Sequence, residues 1–142
     1  MQTFLPYPSF VESAKVLDNK RLGKQRVEAY QILRVLEGKS KGWQNHPVVL
    51  MWRGYETLLS YYGYRVCQEW MDRGFKDTLQ PKFEEYSRNH PETSAWPNWL
   101  RNEKFHTSHR SNLLRKDPKH YGQFGWIEKN DLPYYWPTKE GI

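Results

Sequence analysis

Between residues 48 and 66, large apolar side chains return at alternating steps of four and three: Val48, Trp52, Tyr55, Leu59, Tyr62 and Val66. An α-helix turns once per about 3.6 residues, so these positions form one buried seam. They predict the longest helix of the chain, closed by Gly74 after Arg73. Asn45-His46-Pro47 opens it, with Asn45 as the cap and the proline in the first turn. A second stripe, Leu22, Ala29, Ile32, Leu33 and Leu36, predicts a helix from Asn19 to Glu37 that stops at Gly38. Arg21, Gln25 and Glu28 lie along one edge of this stripe. Gln25 and Arg26 intrude into the apolar arc itself, where a plain amphipathic helix carries Leu or Ala. Polar groups beside a core need partners or a purpose.

Ser9 is placed to cap a short helix through Val16 or Leu17, with Glu12 at the capping-box position. A further main helix is predicted from Asn102 to Lys116, ending before Pro118. The stretch 75–101, with Pro81, Pro91 and Pro97, reads as irregular, and Ser87 to Thr93 as a polar turn. Met1 to Pro8 is bracketed by Pro6 and Pro8 and should be extended. Its Phe4, Leu5 and Tyr7 predict that it tucks into the fold. From Lys119 onward the chain is aromatic and broken by Gly and Pro. The reading is all-α: a single compact domain over residues 1–142, with three main helices, long ordered loops and an aromatic C-terminal tail.

Composition adds a partner. Aromatic residues make up 16% of the chain, with seven Trp and ten Tyr, while hydrophobic residues reach only 37%. Rings must therefore supply much of the core, and some are available for a surface task. The net charge of +6 favours a polyanion, nucleic acid before an anionic membrane. No segment approaches the ~20 apolar residues of a membrane span, and no secretory leader is evident. The lone Cys67 cannot form an internal disulfide. These features predict a monomeric intracellular protein, cytoplasmic and nucleoid-associated or phage-encoded.

The basic cluster Lys20, Arg21, Lys24 and Arg26, joined in the following loop by Lys39 and Lys41, suits phosphate contacts. A solvated helix face is the commoner fate of such a run, but the net charge and the misplaced Arg26 favour the contact. His46, at a helix start, could cap locally or receive an anion. His106 and His109 share a helix face at a spacing that can chelate. No carboxylate or cysteine completes a set, so no metal and no cofactor is predicted. The rings of the tail, interleaved with Lys116, Lys119 and Lys129, read mostly as a strap over the core, with one or two free to stack on bases. Glu28 could be an ordinary surface partner of Lys24, worth a few tenths of a kcal/mol at most, or a catalytic carboxylate. Composition does not separate the two.

Several spaced motifs narrow this. They are the extended start Met1-Gln-Thr-Phe-Leu-Pro-Tyr-Pro8, Arg26-Val-Glu-Ala29, Gly38-Lys-Ser-Lys-Gly-Trp-Gln-Asn-His-Pro47, Asp72-Arg-Gly-Phe75, and His109-Arg-Ser-Asn-Leu-Leu-Arg-Lys-Asp-Pro118 with Tyr121. Together they resemble the pyrimidine-dimer DNA glycosylase/AP-lyase family of phages and bacteria. The resemblance implies an all-α domain acting on lesion-bearing double-stranded DNA. It also implies a free N-terminal amine as nucleophile, a Schiff base at C1′, strand nicking by β-elimination, and one helix-borne Glu. By position these are the Met1 amine and Glu28, because Gln2 is too large for initiator-Met removal. Lys20 and Lys24 stand as alternative amines. Lys20, Arg21, Lys24, Gln25, Arg26, Lys39, Lys41, His46, His109, Arg110 and Lys116 become the candidate DNA contacts. Two other readings stay open: a glycosylase for a different modified base, and a non-catalytic nucleic-acid-binding domain.

The chemistry suits the assignment. An unperturbed α-amine titrates at about 7.7–8.0 against about 10.4 for lysine, so far more of it is neutral near pH 7. Schiff-base formation requires the neutral amine.

Overall fold

The computed structural model describes residues 1–91 and 96–137. Helices follow in the order α1 (Phe10–Val16), α2 (Asn19–Leu36), α3 (Pro47–Trp52), α4 (Glu56–Asp72), α5 (Gln80–Asn89), α6 (Glu103–Lys116) and α7 (Pro118–Tyr121), with a 3₁₀ turn at Gly122–Phe124. The all-α expectation holds. The count of three main helices does not, and each difference has a local cause.

Five of the six seam positions, Val48, Trp52, Leu59, Tyr62 and Val66, are at 0% exposure, while Tyr55, at the start of α4, is only half-buried. The seam is nevertheless carried by two helices. At Gly54 the backbone turns to φ 89°, which only glycine adopts freely, and the Gly54 N–H donates to Glu56 Oε2 at 2.8 Å instead of to a helical carbonyl. The apolar period runs across this break because both pieces lie on the same core. The cap of α3 is His46, not Asn45: its Nδ1 accepts the Val48 N–H at 3.1 Å.

Within 75–101, Pro81 starts a helix rather than preventing one, since proline suits the first turn, where its missing N–H is not needed. Asp77 Oδ2 accepts the N–H groups of both Leu79 and Gln80 there. Ser87 belongs to the last turn of α5, while Glu92 and Thr93 of the predicted polar turn lie outside the described residues. The other ends match expectation. The Ser9 side chain accepts the Glu12 N–H, Asp18 caps α2, and Asn102 caps α6.

Helix α4 is the centre, packing against α1, α2 and α5. A Cβ placed on Gly63 would lie 2.4 Å from the Phe83 ring, so the α4–α5 approach requires glycine there. The tail does strap the core. Trp126 stacks on Tyr121 with ring centres 5.6 Å apart and donates its indole N–H to the Tyr7 hydroxyl at 2.7 Å.

The first seven residues occupy a slot between α2, α4 and α6. Leu5 is fully buried, as is Thr3, yet among the described residues this extended segment pairs with no strand. Buried backbone groups must still find partners, and here side chains supply them. The Phe4 N–H donates to Gln25 Oε1 at 2.6 Å, and Gln25 Nε2 donates to the Gln2 carbonyl at 2.6 Å. The Leu5 N–H donates to His109 Nδ1 at 2.9 Å, while the Leu5 carbonyl lies 2.7 Å from His106 Nδ1. Arg110 donates to the Pro6 carbonyl at 2.7 Å. Trp52 donates to the Thr3 hydroxyl at 3.0 Å.

This arrangement makes stability depend on pH. His109 Nδ1 and His106 Nε2 both act as acceptors, the latter for the Arg101 N–H at 2.9 Å, so protonating either ring breaks a bond. Burial, and after it the neighbouring His106, pushes His109 from 6.5 down to about 3. Burial lowers His106 as well. The unfolded chain therefore takes up protons that the folded chain refuses. The stabilisation is complete above 6.5 and is lost as pH falls below it, at about 1.4 kcal/mol per pH unit for His109 alone. Urea midpoints measured at about pH 5 and about pH 7.5 should differ accordingly, and His109→Gln should flatten the dependence. An unchanged slope in that variant would place the titration elsewhere.

Candidate active site

Anchoring the segment decides where its first atom lies. The Met1 nitrogen is 3.6 Å from Glu28 Oε2, and the Gln2 N–H donates to the same oxygen at 2.9 Å. Glu28 reaches the terminus from the polar edge of α2. Gln25, one turn earlier, holds Gln2 and Phe4. The second carboxylate oxygen, Oε1, is 4.0 Å from Lys24 Nζ. The Met1 side chain is 7% exposed and that of Glu28 13%, so the pair is recessed but reachable.

The pair opens into a cleft of about 510 Å³ lined by Lys20, Arg21, Lys24, His46, Lys116, Tyr134 and Trp136 among others. Five of these seven are basic or can become so. Lys20, Lys24 and Lys116 are exposed, while Arg21 is held by Asp18 at 3.1 Å. Partial burial, and after it the charge of the Met1 amine, holds the His46 imidazole below its ordinary range, with Glu28 pulling the other way. Because Nδ1 accepts from Val48, the neutral ring carries its proton on Nε2. Lys39 and Lys41 are exposed on the loop leading to His46, Lys39 in an ion pair with Glu37 at 3.3 Å.

Four of the residues singled out in the sequence lie elsewhere. Gln25 is 1% exposed and spent on Gln2, Phe4 and Tyr62. Arg26 lies over the Trp70 ring at 4.8 Å and pairs at 2.5 Å with Asp77, whose side chain is fully buried. His109 is fully buried. Arg110 divides its donors among Pro6, Glu103 and Glu128. The oddities that marked Gln25 and Arg26 were real, but their purpose lies inside the fold. Sequence reasoning missed Tyr62, whose hydroxyl oxygen sits 2.7 Å from both the Phe4 carbonyl and Gln25 Oε1. In sequence it is one more apolar position of the seam. Among the described residues, no three His, Cys, Asp or Glu side chains gather as metal ligands do. Nor is any helix among them long and apolar enough to cross a membrane.

No curated protein and no solved structure matches the chain. A family model described as pyrimidine dimer DNA glycosylase matches residues 1–83, more than half of the sequence. The matched part contains the N-terminal segment, Gln25 and Glu28, and the loop leading to His46. The chain therefore belongs to the pyrimidine dimer DNA glycosylase family.

Proposed function

We propose that this protein removes a damaged pyrimidine from duplex DNA and then nicks the strand, with the Met1 α-amine as nucleophile and Glu28 as the proton-handling carboxylate. One observation carries the reading: a recessed chain terminus 3.6 Å from a helix carboxylate, at a cleft walled by basic side chains. The neutral amine attacks C1′, and the glycosidic C–N bond breaks as the base leaves with a proton. Opening of the sugar ring gives an imine between Met1 and C1′. Loss of a C2′ proton then expels the 3′ phosphate, and water releases the enzyme. Glu28 faces the charge that develops on the sugar and amine and can accept the protons they shed. Fixing residues 2–6 by side chains holds the amine in place, as attack at about 3–3.5 Å demands. Lys20, Arg21, Lys24 and Lys116 on the cleft wall, with Lys39 and Lys41 on the adjoining loop, would meet phosphates.

Borohydride reduction during turnover tests this. The enzyme should be trapped on oligonucleotides bearing a pyrimidine dimer or an abasic site, and peptide mapping should locate the adduct at Met1. An adduct on Lys20 or Lys24 would move the nucleophile. Steeply salt-dependent DNA binding with no adduct on any lesion would leave a binding domain in place of an enzyme.

A further inference from the structure

A second and larger hollow, of about 790 Å³, opens between α1, α4, α5 and the loop before α6. It shares no lining residue with the cleft of Met1 and Glu28, and the chemistry above does not use it. Leu58 and Leu100, each 4% exposed, line it with Phe10. Beside them stand Val11, Tyr61 and Trp96, at 38%, 40% and 62% exposure. Eight large hydrophobic side chains are exposed among the described residues, and three of them gather at this one hollow. Single exposed apolar residues need no explanation, but a contiguous group marks a contact surface.

The same hollow is bordered by charge. Arg65, Arg101 and Glu84 line it. All three are exposed, and none forms an ion pair with another described residue. The Arg65 guanidinium lies 5.8 Å from the Tyr64 ring centre, a contact that leaves its N–H donors free. Arg101 holds φ 86°, a conformation that non-glycine residues keep only where their surroundings impose it. Here its N–H donates to the buried His106 Nε2 at 2.9 Å.

A ligand for this surface must bring a bulky apolar group and negative charge, since two guanidinium groups face one carboxylate. Nucleic acid supplies the charge but fits the lining poorly. A base lying against Leu58 and Leu100 loses water from its polar edge without gaining partners, and Glu84 repels a run of phosphates. We infer that the hollow docks an acidic peptide segment of a partner protein. One large apolar side chain of that segment enters the hollow, and flanking carboxylates pair with the planar donors of Arg65 and Arg101. Trp, Tyr and Arg, the residue types that most often anchor protein contacts, are all present. The inference does not depend on the Met1 chemistry.

The test titrates short fluorescein-labelled peptides, with several Asp or Glu around one Phe, Leu or Trp, into the full chain and follows anisotropy. Counterparts with Asn and Gln in place of the acids, and a labelled oligothymidylate, run beside them. The acidic peptides should bind, and the neutral ones at least about tenfold more weakly. Trp96→Ala, and separately Arg65→Glu combined with Arg101→Glu, should each weaken the acidic peptides about tenfold or more. Thermal midpoints should stay at the wild-type value, because all three side chains are exposed. The double variant should now prefer peptides carrying Lys in place of the acids. No binding by any acidic peptide, equal binding of acidic and neutral ones, or binding indifferent to these substitutions overturns the proposal. Oligothymidylate that displaces the peptide from wild type and loses affinity in Trp96→Ala would make the hollow a nucleic-acid site instead. A wild-type enzyme that traps no lesion DNA removes the Met1 reading and leaves this result standing.

Discussion

Glu28→Gln should lower strand nicking about 100-fold or more while changing the affinity for lesion DNA only a few-fold. The substitution is nearly isosteric, and the amide oxygen can still accept the Gln2 N–H that now reaches Glu28 at 2.9 Å. The segment should therefore stay in its slot, and the thermal midpoint should scarcely move. What disappears is the negative charge 3.6 Å from the Met1 nitrogen, and with it the group able to face a cationic sugar and accept its protons. Nicking rate, lesion affinity and melting are to be measured on one preparation. Parallel losses of nicking and affinity would make Glu28 a structural partner of the N-terminus and nothing more.

Gln25→Leu should be the most damaging change away from the reacting atoms. The side chain is 1% exposed, and its amide serves as a strand neighbour for the first residues, accepting from the Phe4 N–H and donating to the Gln2 carbonyl. Leucine fills the space and makes neither bond. Two buried backbone groups lose partners, at about 1–3 kcal/mol each. The register of the segment also loosens, and a displacement of about 1 Å can cost about 100-fold in rate. Adduct formation should fall at least about tenfold with lesion affinity nearly intact, and Met1 should react faster with an amine-selective acylating reagent. Gln25→Glu keeps the acceptor and sets a carboxylate oxygen against the Gln2 carbonyl, so it should rescue little. If the amine of Gln25→Leu reacts and traps as wild type does, the slot is held without Gln25.

The two substitutions show what was legible in advance. The stripe of α2 and the seam of α3 and α4 were plain, because burial on one face imposes the helical period on the sequence. Helix starts at Ser9 and Asn102 were legible for the same local reason: a capping side chain acts within three residues. The break at Gly54 was not, since both halves of the seam face one core and the period runs on. Helix α5 was hidden because proline is as much a helix starter as a breaker, and the deciding partner, Asp77, is not itself in the helix.

For the site, the sequence by itself determined the family and the features to look for: a basic helix carrying one carboxylate, an extended apolar start and an excess of rings, in motifs that resemble one repair family. It also marked Gln25 and Arg26 as out of place, without telling what for. Only the tertiary structure decided which charges face the cleft and which are consumed inside. Arg26 goes to Asp77, Arg110 to Pro6, Glu103 and Glu128, and Gln25 and His109 to the backbone of residues 2–5. The physical reason is separation along the chain. Glu28 and the amine are 27 residues apart, and His109 and Leu5 are 104 apart. A buried segment without a strand partner must take its hydrogen bonds from whichever side chains the packed helices bring to it, and no local pattern records that choice.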